Sequence, residues 1–107
     1  MTVTVVLPAY NEESRIVDTL KAVKSLSLVD EIIIVNDGST DRTAEQVREM
    51  GITLIDLPTN QGKGGAMNAA LPYVNCDLVV FLDADLGSSA KEAVKIIQVV
   101  ADGLCDL

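Results

Sequence analysis

Unbroken apolar runs alternate along this chain with stretches in which apolar residues recur every three or four positions. Thr2–Leu7 is β-branched and apolar and stops at Pro8, which predicts a strand buried on both faces. Acidic residues in Asn11-Glu12-Glu13-Ser14 suit a helix start, and Ile16, Leu20, Val23 and Leu26 then lie on one helical face. Glu31–Asn36 encloses Ile32-Ile33-Ile34-Val35, a second buried strand. Asp37-Gly38-Ser39-Thr40 predicts a turn, with Ser39 or Thr40 capping a helix that carries Ala44, Val47 and Met50 and stops at Gly51. Ile52–Leu57 predicts a third strand, closed by Pro58. Asn60–Gly65 predicts a glycine-rich loop, followed by a helix through Ala66, Ala69 and Ala70 that Pro72 ends. Asp77–Leu82 predicts a fourth strand, and Ala90, Val94, Ile97 and Ala101 mark a last helix before Gly103.

The expected order is therefore βαβαβαβα. Each crossover is long enough for a helix, so the strands should run parallel with right-handed connections. That is a Rossmann-like, doubly wound α/β sheet, with strand order 3-2-1-4. Cys105-Asp106-Leu107 has the look of a fifth strand beginning, so the domain is expected to be interrupted there.

Composition narrows the function classes. At 107 residues one domain is expected, and 49% apolar content excludes disorder. Sixteen acidic against eight basic residues give a net charge of −8. A chain this acidic repels nucleic acid and anionic membrane at long range. Phosphate binding would have to be local, through backbone N–H groups, a lysine or a bridging metal. The absence of histidine excludes His-based metal sites, Ser-His-Asp triads and His acid–base catalysis. Cys76 and Cys105 form no CxxC and read as small core or boundary residues, which fits a reducing cytoplasm. The apolar runs are too short to span a bilayer, and no basic leader precedes the first strand.

The unusual polar clusters all follow the carboxyl end of an expected strand: Pro8–Glu12, Asn36–Asp41, Asn60–Gly65 and Asp83–Asp85. In open parallel sheets ligands bind outside those ends, where strand order reverses. Asp83 and Asp85 share one side of an extended backbone. Two carboxylates held together repel unless a cation lies between them or one takes a proton. Hard oxygens suit Mg²⁺ or Mn²⁺, with a diphosphate supplying more. Gly62-Lys63-Gly64-Gly65 has neither the P-loop nor the dinucleotide spacing; it reads as a flexible glycine turn or as backbone N–H groups facing a phosphate. Tyr10 offers a flat face for a base and Glu12 an acceptor for a hydroxyl.

With these residues in hand, the chain resembles the family 2 glycosyltransferases of the GT-A fold. The resemblance is carried by Val5-Val6-Leu7-Pro8-Ala9-Tyr10-Asn11-Glu12, by Ile34-Val35-Asn36-Asp37-Gly38-Ser39-Thr40-Asp41-Arg42-Thr43, by Asn60-Gln61-Gly62-Lys63-Gly64 and by Phe81-Leu82-Asp83-Ala84-Asp85, in the family's order. The polyprenyl-phosphate mannosyltransferase and glucosyl-phosphoglycerate synthase types are the nearest in flavour. The resemblance implies that residues 1–107 are the nucleotide-sugar-binding part of such a domain, cut short at the carboxyl terminus. Pro8, Ala9 and Tyr10 would line the base pocket of a UDP- or GDP-sugar. Glu12 would accept from the ribose, Asp37 would bind the base, and Lys63 would lie near the base or the diphosphate. Asp83 would contact the ribose or metal-bound water, and Asp85 would ligate Mg²⁺ or Mn²⁺. Transfer would invert the anomeric centre by direct displacement, with the general base outside this chain. Asp85 is followed by Leu86-Gly87-Ser88-Ser89 rather than the His-Pro segment common in lipid-phosphate mannosyltransferases, which speaks against a polyprenyl acceptor.

Two other readings stand beside this one. A nucleotide-binding or assembly module without transfer activity would keep the same residues. A sugar-phosphate nucleotidyltransferase would want a basic glycine loop after strand 1, where this chain has Pro8-Ala9-Tyr10-Asn11-Glu12. Strand 4, apolar on both faces, is expected to lie at the sheet edge and to favour pairing with a second copy. The location expected is the cytoplasm, or its membrane surface if the acceptor is a lipid phosphate.

Overall fold

A computed structural model of the chain describes residues 3–27, 29–74, 78–84 and 87, the side chain of Lys63 excepted. In chain order the elements are β1 (Val3–Ala9), α1 (Ile16–Lys24), β2 (Glu31–Asp37), α2 (Thr43–Glu49), β3 (Thr53–Leu57), α3 (Gly62–Ala70), a 3-10 turn (Leu71–Tyr73) and β4 (Leu78–Phe81). The strands form one parallel sheet in the order β3-β2-β1-β4, as the alternation predicts. The last predicted helix, the start of a fifth strand, Cys76, Cys105 and Asp85 lie outside the described residues.

The two faces of β1 divide the core. Val3, Val5, Leu7 and Ala9 point to one side, where Ile16, Leu20 and Val23 of α1 and Val47 of α2 close over them. Val6 points to the other, against Ile33, Val35 and the alanines Ala66 and Ala70 of α3. Helices fall on opposite faces because β1-α1-β2-α2-β3 winds outward in one direction, and the chain then returns through α3 to the far side of β1. Leu7, Leu20 and Ile34 are fully buried; burial of such a side chain contributes about 1.5–3 kcal/mol. Among the described residues no helix is long and apolar enough to cross a membrane.

Several boundaries differ from the expected ones. β1 runs through Pro8 to Ala9 rather than stopping at Leu7. The reason lies in the register. Val6 O accepts the Leu82 N–H, so Val6 and, two residues on, Pro8 turn their backbone polar groups toward β4. The β1–β4 pairing ends at Val6 opposite Phe81, so the missing N–H of Pro8 falls beyond the ladder and costs no bond. Asp37 belongs to β2, not to the turn after it. Neither Ser39 nor Thr40 caps α2, which begins at Thr43. Gly62–Gly65 forms the first turn of α3 instead of a loop, and Pro72 lies in the 3-10 turn that follows the helix, as its ring predicts.

Candidate functional site

All the described clusters open onto the carboxyl edge of the sheet. β1 ends at Pro8 and the buried Ala9; Tyr10 follows, 47% exposed. Asn11 turns the chain with φ +53°, a left-handed conformation that asparagine tolerates better than most residues. Its side-chain Oδ1 accepts the Thr40 N–H at 2.8 Å, and its own N–H donates to Ser39 Oγ at 2.9 Å. The next two amides continue the same seam. Glu12 N–H donates to Thr43 Oγ1 at 2.9 Å, and Glu13 N–H to Asp41 Oδ2 at 3.2 Å.

The loop after β1 is thus stitched to the loop after β2. Ser39 and Thr40, expected as helix caps, serve the neighbouring loop instead. Asp41 Oδ1 takes the Thr43 N–H at 2.9 Å and the Thr43 hydroxyl at 2.5 Å. Burial pushes the Asp41 carboxyl up, but the bonds from the Thr43 hydroxyl, the Thr43 N–H and the Glu13 N–H outweigh it and hold the pKa below the ordinary value. Glu12 places its carboxylate 3.9 Å from the Arg15 guanidinium, a loose contact at the first turn of α1.

Asp37 closes β2 and is buried. Its Oδ1 accepts the Gln61 N–H at 2.7 Å, which binds the second cluster directly to the third. Gly38 makes that approach possible. It has φ +74°, and a Cβ built there would stand 2.6 Å from Asn60 N and 2.8 Å from Thr59 C. Beside it, the buried Asn36 amide donates to Asp56 Oδ1 at 2.7 Å and accepts the Ser39 N–H at 3.2 Å; Arg48 holds the other Asp56 oxygen at 2.8 Å. An amide at position 36 suits a carboxylate partner, where a second carboxylate would be repelled.

Lys63 and Gly64 occupy the first turn of α3, where backbone N–H groups have no intrahelical acceptor. The Gly62 N–H turns back to Asn60 Oδ1 at 3.1 Å, and Gln61 provides no side-chain cap. Asp83 follows β4 and is exposed; continuing the β1–β4 register by two residues sets it level with Pro8. Among the described residues no group of three or more His, Cys, Asp or Glu could hold a metal. Asp83 offers a hard carboxylate oxygen of the kind a divalent cation takes.

The sequence pattern singled out the clusters holding Asn11, Ser39, Thr40, Asp41 and Thr43 but not the bonds by which they build the seam between loops; one further residue it missed altogether. Thr19, fully buried on α1, bonds to the segment after Asp83. A hydroxyl within the apolar stripe Ile16-Leu20-Val23 was the available signal. A cavity of about 320 Å³, lined by Lys24, Glu31, Gly51 and Thr53 among others, opens at the amino ends of β2 and β3. It lies at the opposite end of the sheet from every cluster above.

The family described as Glycosyl transferase family 2 matches residues 4–104. The chain is 34% identical over 111 residues to an undecaprenyl-phosphate 4-deoxy-4-formamido-L-arabinose transferase of Edwardsiella ictaluri, covering 94% of this chain and 34% of that protein. It is 43% identical over 96 residues to a dolichyl-phosphate beta-glucosyltransferase of Trichomonas vaginalis, covering 77% of this chain and 30% of that one. In structure it is similar to glucosyl-3-phosphoglycerate synthase of Mycobacterium tuberculosis, solved with Mn²⁺, UDP-glucose and phosphoglyceric acid. The TM-score is 0.78 at 35% identity, covering 88% of this chain and 36% of that one. The chain thus spans about a third of the length of the relatives it matches.

Proposed function

This chain belongs to glycosyl transferase family 2, and on that premise we propose that it supplies the donor side of an inverting, metal-dependent sugar transfer from a nucleotide-sugar. The observation that carries the reading is the joining of the clusters at one sheet edge. Asp37 is tied to the start of α3, the loop carrying Tyr10 and Glu12 is tied to the loop after β2, and Asp83 follows β4, the strand paired with β1.

In this reading Pro8, Ala9 and Tyr10 line the base pocket. Asp37 Oδ1 is taken by Gln61, so its other oxygen accepts from the base. Glu12 accepts from the ribose. Lys63 and the N–H groups of the first α3 turn after Gly62 would serve the diphosphate. Asp83 and Asp85 would hold Mg²⁺ or Mn²⁺. When bound, that cation supplies Lewis-acid stabilisation of the departing nucleoside diphosphate. The protein's own part is to orient the donor so that its anomeric carbon faces an acceptor. UDP is the nucleotide we assign, supported by the UDP-glucose of the Mycobacterium tuberculosis synthase.

Calorimetric titration of UDP, GDP and ADP with and without Mn²⁺ tests the proposal. UDP should bind, and more tightly with Mn²⁺. Asp37→Asn should weaken UDP in both conditions, by about tenfold for a lost hydrogen bond to a charged group. Asp85→Ala should remove the Mn²⁺-dependent gain and spare the metal-free affinity. Equal affinities for all three nucleotides, or a gain from Mn²⁺ that survives in Asp85→Ala, would overturn the assignment.

A further inference from the structure

Thr19 sits on the buried face of α1 with Ile16, Leu20 and Val23, and is fully buried itself. A hydroxyl there loses its hydration and needs partners. Its own helix already offers one, since Arg15 O lies 3.0 Å from Thr19 Oγ1, the usual way a helical threonine satisfies itself. The same oxygen also lies 2.8 Å from Ala84 O and accepts the Gly87 N–H at 2.8 Å. A hydroxyl has one proton and two lone pairs. The shorter contact, to Ala84 O, takes the proton, and a lone pair receives the Gly87 N–H. These partners lie 65 and 68 residues away in sequence. The helix did not need them to bury a threonine.

The two partners flank the site assigned above. Ala84 follows Asp83, and Asp85 lies between Ala84 and Gly87. Gly87 has φ +57°, a left-handed conformation. A single buried oxygen therefore binds both Ala84 and Gly87.

We propose that Thr19 is a positioning residue for the diphosphate end of the donor site: its hydroxyl clamps Ala84 and Gly87 and so holds the backbone that directly follows Asp83. The inference rests on the donor-binding reading. Its physical basis is the narrow range of oxygen distances that a small divalent cation accepts. A carboxylate just beyond a strand end meets that range only if the backbone beneath it is held. Groups that orient ligands in this way typically change metal affinity by about 10- to 100-fold when removed. α1 is well suited to the role because its apolar face is locked against β1.

The test compares Thr19→Val, which keeps shape and removes the hydroxyl, with Thr19→Ser, which keeps the hydroxyl. The first readout needs no ligand. Amide exchange at Gly87 should be at least about tenfold faster in Thr19→Val, relative to the β1 amides, and parent-like in Thr19→Ser. The second is UDP titration with and without Mn²⁺. Thr19→Val should keep metal-free UDP affinity within about twofold and lose about tenfold of the Mn²⁺-dependent gain; Thr19→Ser should restore it. If Thr19→Val does not fold, Thr19→Ala against Thr19→Ser carries the same comparison. Unchanged exchange at Gly87 would show that the clamp does not exist. Faster exchange with an intact Mn²⁺ gain would reduce Thr19 to a structural residue. No Mn²⁺ gain in the parent chain would overturn the donor reading and this inference together, while the exchange result still reports the clamp itself.

Discussion

Asp41 accepts from two loops at once, through Thr43 on its own side and the Glu13 N–H on the other. Those bonds favour the carboxylate and hold its pKa below the ordinary 3.8. A group depressed in the folded state contributes stability above its unfolded pKa and loses it as pH falls through the folded one. The seam should therefore be fully formed near neutrality and weaken below about pH 4. Asp41→Asn keeps one acceptor and loses the other, so it should melt at lower temperature than the parent near pH 7. The gap should narrow by about pH 3, once the parent's carboxyl begins to take up its proton. Thermal melts at the two pH values check this, and a gap that stays constant would separate Asp41 from the acid response. The exposed pair Arg42–Glu45 at 2.9 Å shifts both of its partners but lies in solvent, where such pairs contribute little.

The glycines of α3 have different physical roles. A Cβ at Gly65 would stand 2.8 Å from Gln61 Cβ, so that position needs its glycine. A Cβ at Gly64 would meet nothing within 4 Å. Gly64→Ala should accordingly raise stability by about 0.5–1 kcal/mol, the helix-propensity difference. If the first turn faces a phosphate, the same change should weaken UDP binding while the melting temperature rises. Melting and titration of one variant separate the two effects, and a gain in both would move the diphosphate away from α3. The helix is held by tertiary packing: Ala66 and Ala70 are fully buried against Val6, Ile33 and Val35. Small side chains there let α3 lie close to the sheet.

For the molecule as a whole, net charge and local chemistry pull in opposite directions. At −8 the chain repels a nucleoside diphosphate from a distance, and the site must overcome that repulsion locally. Without metal, raising salt from about 20 to about 200 mM should strengthen UDP binding, because screening removes more repulsion than attraction. With Mn²⁺ neutralising the diphosphate, the dependence should flatten. Titrations across that range give the sign, and metal-free binding that weakens with salt would mean that Lys63 dominates the field. Strand order also decides where the ligand edge lies. β1 is flanked by β2 and β4, so the chain reverses direction beside Pro8–Glu12 and Asp83.

The apolar pattern alone determined the four strands, their parallel order and the edge on which the polar clusters gather. Buried parallel strands and their crossover helices are specified by local hydrophobicity and length. The motifs around Pro8–Glu12, Asn36–Thr43 and Phe81–Asp85 also carried the resemblance to the family, whose match covers residues 4–104. Tertiary structure decided the rest. Pro8 is tolerated in a central strand because β4 stops short of it. Gly62–Gly65 is helical because a sheet face receives Ala66 and Ala70. Ser39 and Thr40 look like caps from their neighbours in sequence, yet they bond Asn11, as Asp41 bonds Glu13, about 28 residues away. Thr19 reads as an ordinary helix residue until Ala84 and Gly87 arrive beside it. Periodicity encodes which face a residue presents. The partner on that face is set only when distant segments pack together, and a lone polar group carries no sequence signal of which one it will meet.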